Sequence, residues 1–169
     1  DRGGKIIADV LAAERVAKVF GIPDGTYLGL LNALVGRDIA VVTPRHETTA
    51  IHMAGAYARL TGKLGVCIAS NGPGVANILP GVAVENAEGN RVLLITSSRR
   101  SGITYPDRGG TYQYFDQVGT IGPMAKWSAS AQSFFERASW RRITRESMRG
   151  SLSARSSAGS AVPRSSPPR

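Results

Sequence analysis

The residues best suited to chemistry are Arg45-His46-Glu47, followed by Ala50, Ala54 and Tyr57-Ala58-Arg59. Ile39 to Val42 reads as an apolar strand, and Thr48 to Thr61 carries small and apolar residues at helical spacing. Glu47 is therefore expected at the joint between a strand and a helix. Ligands bind at strand ends in α/β sheets, and a helix N-terminus favours a carboxylate through its macrodipole. The same position also suits an ordinary first-turn acid that satisfies helix amides.

A second segment bears on that choice. Leu64 to Ser70 reads as a buried strand, and Asn71-Gly72-Pro73-Gly74-Val75-Ala76-Asn77 leaves it to open another helix. Pro73 suits a first helical position, and the flanking glycines let backbone approach a flat ligand closely. Gly72 and Gly74 fit the start of a dinucleotide fingerprint, but Asn77 stands where its third glycine should be. His46 and His52, six residues apart, make a poor metal pair on one helix. A structural role or a substrate contact suits His46, and a subunit or core contact suits His52.

These residues need elements to position them. Gly4 to Ala17 reads as an amphipathic helix, Val19 to Ile22 as a short strand ended by Pro23-Asp24-Gly25, and Thr26 to Val35 as a helix. The Ile39 strand, the Glu47 helix, the Leu64 strand, a helix from Pro73 to about Glu88 and a strand over Arg91 to Thr96 follow. Strands alternating with helices, and near-continuous apolar strands, predict a three-layer α/β/α fold with a mainly parallel sheet. Ser97 to Thr111 reads as a loop whose neighbourhood is rich in aromatics (Tyr105, Tyr112, Tyr114, Phe115), suited to loop anchoring or to an interface. Gln113 to Ile121 reads as a short helix and Ala125 to Ala129 as a last strand.

Composition bounds the rest. The 169 residues suffice for one domain with a real core. Cys67, the single cysteine, excludes an internal disulfide, fits a reducing, cytoplasmic setting, and is expected to be buried and inert. No basic region precedes an apolar run at the N-terminus, so no signal peptide is expected; the chain opens on Asp1 without Met, which leaves that end open. Leu64 to Val84 is uncharged for 21 residues, but Asn71, Pro73, Asn77 and Pro80 point to two short elements rather than a membrane span. Of the net charge of +9, residues 137–169 carry +7 (eight Arg against one Glu), leaving +2 on residues 1–136. The body thus carries no basic stripe suited to nucleic acid. With nine Ser and three Pro beside its arginines, the tail is too polar to bury a core and is expected to be disordered.

Val19-Phe20-Gly21-Ile22-Pro23, the run from Arg45 to Asn77, Asp116-Gln117-Val118 and Lys126-Trp127 together resemble one family. It is the N-terminal, pyrimidine-binding domain of thiamine-diphosphate enzymes of the acetolactate synthase and 2-oxo acid decarboxylase superfamily. The resemblance runs over residues 4 to 128 or so and makes residues 1–136 that domain. It implies that Glu47 is the catalytic carboxyl that hydrogen-bonds N1′ of the cofactor pyrimidine and drives its 4′-amino group into the imino form. It implies cofactor contacts from Pro23, Gly25, Gly72, Pro73, Gly74 and Asn77. For Asn77, a ligand contact and a local backbone cap both remain open. Gln113 aligns with a glutamine near the substrate, although Tyr114 replaces the usual acidic neighbour. The stretch from Thr96 to Arg100 departs from the family's Gly-Gln pattern; both departures argue against acetolactate synthesis specifically and against FAD, which some members bind near the Gly72 turn. In the family, Mg²⁺ and the diphosphate are held by a Gly-Asp-Gly segment of a C-terminal domain, and no such segment occurs here. The resemblance therefore implies half a site, no metal ligand in this chain, and a chain that alone binds thiamine diphosphate weakly or not at all and turns nothing over. It implies completion by a homo-oligomer or a full-length homologous subunit, a small 2-oxo acid as substrate in the intact enzyme, and apolar surface around the Glu47 and Pro73 helices that favours dimerisation. A non-catalytic subunit paired with a full-length homologue is the alternative. The abrupt change to Arg/Ser/Pro-rich sequence is expected to mark a truncation or a frameshift near residues 135–140.

Overall fold

The computed structural model describes residues 2–98 and 113–130. The order is α1 (Arg2–Ala13), β1 (Lys18–Gly21), a 3-10 turn (Gly25–Tyr27), α2 (Leu28–Val35), β2 (Ala40–Val42), α3 (Glu47–Thr61), β3 (Gly65–Ala69), α4 (Pro73–Ala87), β4 (Val92–Thr96), α5 (Gln117–Ile121) and a 3-10 turn (Gly122–Met124). The four strands pair in parallel in the order β2-β1-β3-β4, with Phe20 beside both Val42 and Cys67, and Cys67 also beside Leu94.

Alternation along the strands builds two cores, one on each side of the sheet. Val19, Val66, Ile68 and Ile95 face α1 and α2, where Ala8, Leu11, Leu30 and Leu34 close over them. Phe20, Cys67 and Ala69 face α3 and α4, against Ala50, Ile51, Ala54, Val75, Ile78 and Val82. The three-layer α/β/α arrangement is thus present, and β3, buried at every position, is its spine. Full burial also pushes the Cys67 thiol up to about 12, which makes it an inert packing residue.

Several boundaries differ from the sequence reading, each for a local reason. The first helix stops at Ala13 rather than Ala17, because Arg15 adopts a positive φ of 57° and Val16 N–H turns back to the Leu11 carbonyl. Thr26 sits in a 3-10 turn capped by Asp24, so α2 begins only at Leu28. Helix over 113–121 shrinks to Gln117–Ile121, with Asp116 as its N-cap. No strand forms at Ala125–Ala129; the chain leaves the Gly122–Met124 turn as irregular backbone. Tyr105, Tyr112 and the tail over 137–169 lie outside the described residues, while Phe115 packs against the α3–α4 core. Among the described residues no helix is long and apolar enough to cross a membrane.

Tyr27 ties the layers together at the end of the sheet that carries the site. Its ring is buried under the sheet, and its hydroxyl lies 2.7 Å from the Ala69 carbonyl oxygen and 3.0 Å from that of Ile95, donating its one proton between them. Burial holds that proton on well above the ordinary phenol range. The C-terminal ends of β3 and β4 are therefore pinned from below.

Candidate functional site

The strand order creates a switch point. From β1 the chain runs outward to β2, then crosses back over β1 to β3 and onward to β4. At such a point the loops leaving two adjacent strands diverge and open a crevice. Here the crevice lies between Ile22-Pro23-Asp24-Gly25 after β1 and Ser70-Asn71-Gly72 after β3.

Glu47 reaches this end as the first residue of α3. His46 precedes it in extended conformation and caps the helix, its Nδ1 accepting from the Thr48 N–H at 3.2 Å. That is the structural role for His46. Glu47 is half-buried, and it lies where the N-termini of α3 and α4 converge. Asn77, in the early part of α4, donates from Nδ2 to Glu47 Oε2 at 3.2 Å. The Asn77 carbonyl in turn accepts from the Thr48 hydroxyl. The structure thus gives Asn77 a side-chain partner on α3 that neither sequence reading anticipated.

Two glycines shape the turn between β3 and α4. Gly72 has a φ of 71°, and a Cβ there would lie 2.5 Å from the Cα of Gln113. Gly74 has ordinary backbone, and a Cβ there would sit 3.2 Å from the Ser70 Cβ and 3.6 Å from Glu47 Oε1. Its missing side chain lets Ser70 and the Glu47 carboxylate pack closely against the start of α4, where Gly74 is itself buried. Pro73 starts α4 where its absent N–H costs nothing.

A network that sequence reasoning missed holds this turn. Asn71 is only 3% exposed. Its backbone N–H donates to Ser97 Oγ at 2.9 Å, Ser97 Oγ donates to its Oδ1 at 3.1 Å, and its Nδ2 donates to the Gln113 carbonyl at 3.0 Å. Gln117 spans the same gap, accepting from the Gly72 N–H at 3.4 Å and donating to the Ser97 carbonyl at 3.1 Å. Gln113 is thus brought to the Gly72 turn through its backbone. The signal for Asn71 was only a polar residue after an apolar strand, which a turn explains equally well.

Asp24 links the two lips of the crevice. It caps the 3-10 turn by accepting from the Thr26 N–H at 2.8 Å, and its carboxylate also takes a hydrogen bond from the Ser70 side chain. Partial burial pushes its pKa up, but the bonds from Ser70 and Thr26 outweigh that and hold the carboxyl below its ordinary value of 3.8. A depressed folded pKa means stability that is complete above the unfolded value and lost as the pH falls through the folded one. Asp24→Asn is therefore expected to flatten the acid limb of stability below about pH 4. Thermal melting of both proteins against pH measures it, and an unchanged acid limb would contradict it.

A second carboxylate is buried away from the crevice. Glu85 of α4 is 6% exposed and lies over Gly55 of α3. His52 Nδ1 is 2.7 Å from its Oε1, and Asn90 Nδ2 donates to its Oε2 at 2.5 Å. His52, whose side chain is 41% exposed, thus joins α3 to α4 through Glu85. Among the described residues no cluster of three or more His, Cys, Asp or Glu is arranged to hold a metal ion.

Known proteins are similar to this chain over most of its length. The sequence pattern of the thiamine pyrophosphate enzyme, N-terminal TPP binding domain, matches residues 1–120. A probable acetolactate synthase large subunit of Methanocaldococcus jannaschii is 33% identical over 125 residues, 74% of this chain and 21% of that protein. The acetolactate synthase of Bacillus subtilis is 33% identical over 133 residues, 78% of this chain and 23% of its own length. A probable 2-ketoarginine decarboxylase of Pseudomonas aeruginosa is 36% identical over 130 residues, 77% of this chain and 23% of its length. The chain therefore spans between a fifth and a quarter of the length of these curated relatives.

Proposed function

The chain belongs to the thiamine pyrophosphate enzymes, as their N-terminal TPP-binding domain, and from that premise we propose that it contributes the pyrimidine half of a site acting on 2-oxo acids. The observation that carries the reading is the half-buried Glu47 carboxylate at the sheet's switch point, beside the turn from β3 into α4. A planar, basic heterocycle fits that place, with a ring nitrogen at the carboxyl.

Glu47 holds or releases a proton at the ring nitrogen, as a positioned carboxyl does in general acid–base catalysis. Gly72, Pro73 and Gly74 line one side, and Pro23 and Gly25 line the other. Gln113 stands at the substrate side. Thiamine diphosphate, when bound, supplies an electron sink for cleaving the bond next to a 2-oxo acid's carbonyl. The rest of the site, including the Mg²⁺ and diphosphate ligands, comes from outside residues 1–136, through a homologous subunit or a second copy. Leu60 and Val84, exposed at 86% and 47% on α3 and α4, support a face that meets another surface. The reaction is decarboxylation, with or without ligation to an acceptor.

Titrating thiamine diphosphate with Mg²⁺ at millimolar concentration into the isotope-labelled chain tests the reading. Amide resonances of Gly25, Glu47, Gly72 and Gly74 are expected to shift together, weakly, with no decarboxylation of pyruvate. Shifts confined to the far ends of the strands would overturn the assignment, and turnover by this chain alone would overturn the half-site.

A further inference from the structure

We infer that Asn77 is a positioning residue that orients the Glu47 carboxyl and reserves Oε1 as the oxygen that exchanges its proton with a ligand. The inference rests on the reading of Glu47 above, but its geometry belongs to this chain alone.

The two carboxyl oxygens have unlike surroundings. Oε2 accepts an N–H from Asn77 Nδ2 at 3.2 Å. An amide N–H cannot give up its proton here, so that bond occupies an acceptor direction of Oε2. A proton placed on Oε2 would compete with the amide for the same oxygen. Oε1 instead faces the turn, with the Cβ-less Gly74 as its neighbour. A proton on Oε1 leaves the Asn77 bond to Oε2 intact.

Asn77 holds Glu47 from two directions. Its side chain takes the carboxylate, while its backbone carbonyl takes the hydroxyl of Thr48, the next residue on α3. The first turn of α3 is thereby fixed to α4 at one residue. Rotation of the Glu47 side chain would break the Asn77 bond while leaving the Thr48 bond intact, so the amide specifically sets the carboxyl plane. A residue in such a place governs ligand affinity through Glu47 without touching the ligand.

Two measurements on the full chain test this. In a pH series, the Asn77 side-chain amide resonances should move as Glu47 takes up its proton, and this response should vanish in Glu47→Gln. A response that survives Glu47→Gln would come from His46 or Asp24 and would overturn the pairing. Thiamine diphosphate with Mg²⁺ is then titrated into the parent and Asn77→Ala. A hydrogen bond to a charged group predicts an affinity loss of about tenfold in Asn77→Ala, measured at a temperature where the variant is fully folded. Equal affinity would overturn the positioning role, as would a loss no larger in Asn77→Ala than in a variant equally destabilised at the distant Gly62. If the parent alone binds no thiamine diphosphate, the amide response decides the pairing.

Discussion

Changing Glu47 to Gln is expected to remove nearly all turnover once the rest of the relatives' length is supplied, as continuous chain or partner subunit. General acid–base catalysis by a positioned side chain is worth about 10²–10⁴-fold, so a loss in that range is expected in both kcat and kcat/KM. The amide of glutamine matches the carboxyl in shape but neither takes nor gives the proton. The fold should tolerate the change. Glu47 is half-buried at the first position of α3, so losing its charge forfeits about 0.3–1 kcal/mol of helix-dipole stabilisation. Steady-state consumption of a 2-oxo acid, beside a melting curve, separates the two effects. Activity within a few-fold of the parent would remove Glu47 from the chemistry and leave it as a first-turn acid.

The backbone of the candidate site was legible in the sequence. Gly72, Pro73 and Gly74 could be placed because a sharp exit from a buried strand into a helix needs those residue types, and Glu47 could be placed at the start of a helix, while the role proposed for it came from the family resemblance. The sheet was legible because Val66, Cys67, Ile68 and Ala69 are buried on both faces and leave no polar alternation to misread. What sequence could not give was pairing between side chains far apart along the chain. Asn77 meets Glu47 across 30 residues, and Asn71 meets Gln113 across 42. Both asparagines read equally well as turn or cap residues, since their local chemistry is the same in either role. Glu85 was hidden for a different reason. A carboxylate buried on α4 is accommodated only because Gly55 has no side chain, and nothing near Glu85 in sequence announces that.

Gly65→Val is expected to cost the domain about 3 kcal/mol or more, the upper range for forcing atoms into a packed interior. Gly65 begins β3 under α3, and a Cβ there would stand 2.1 Å from the Ala54 carbonyl oxygen and 2.7 Å from its carbon. These are backbone atoms in the middle of a helix, so no rotamer change relieves the clash. Either α3 lifts or β3 slides, and both movements reach the site, because α3 begins at Glu47 and β3 ends beside Ser70. Gly62→Ala is the control. Gly62 ends α3 with a φ of 69° in open space, so alanine there pays only the left-handed backbone cost of about 1–2 kcal/mol. Urea unfolding, read by unmasking of the buried Cys67 thiol, compares the two variants. A Gly65→Val midpoint no lower than that of Gly62→Ala would mean that α3 is free to lift off the sheet. The crevice would then lack the rigid wall that fixes Glu47, since a carboxyl on a movable helix cannot hold one orientation toward a ring nitrogen.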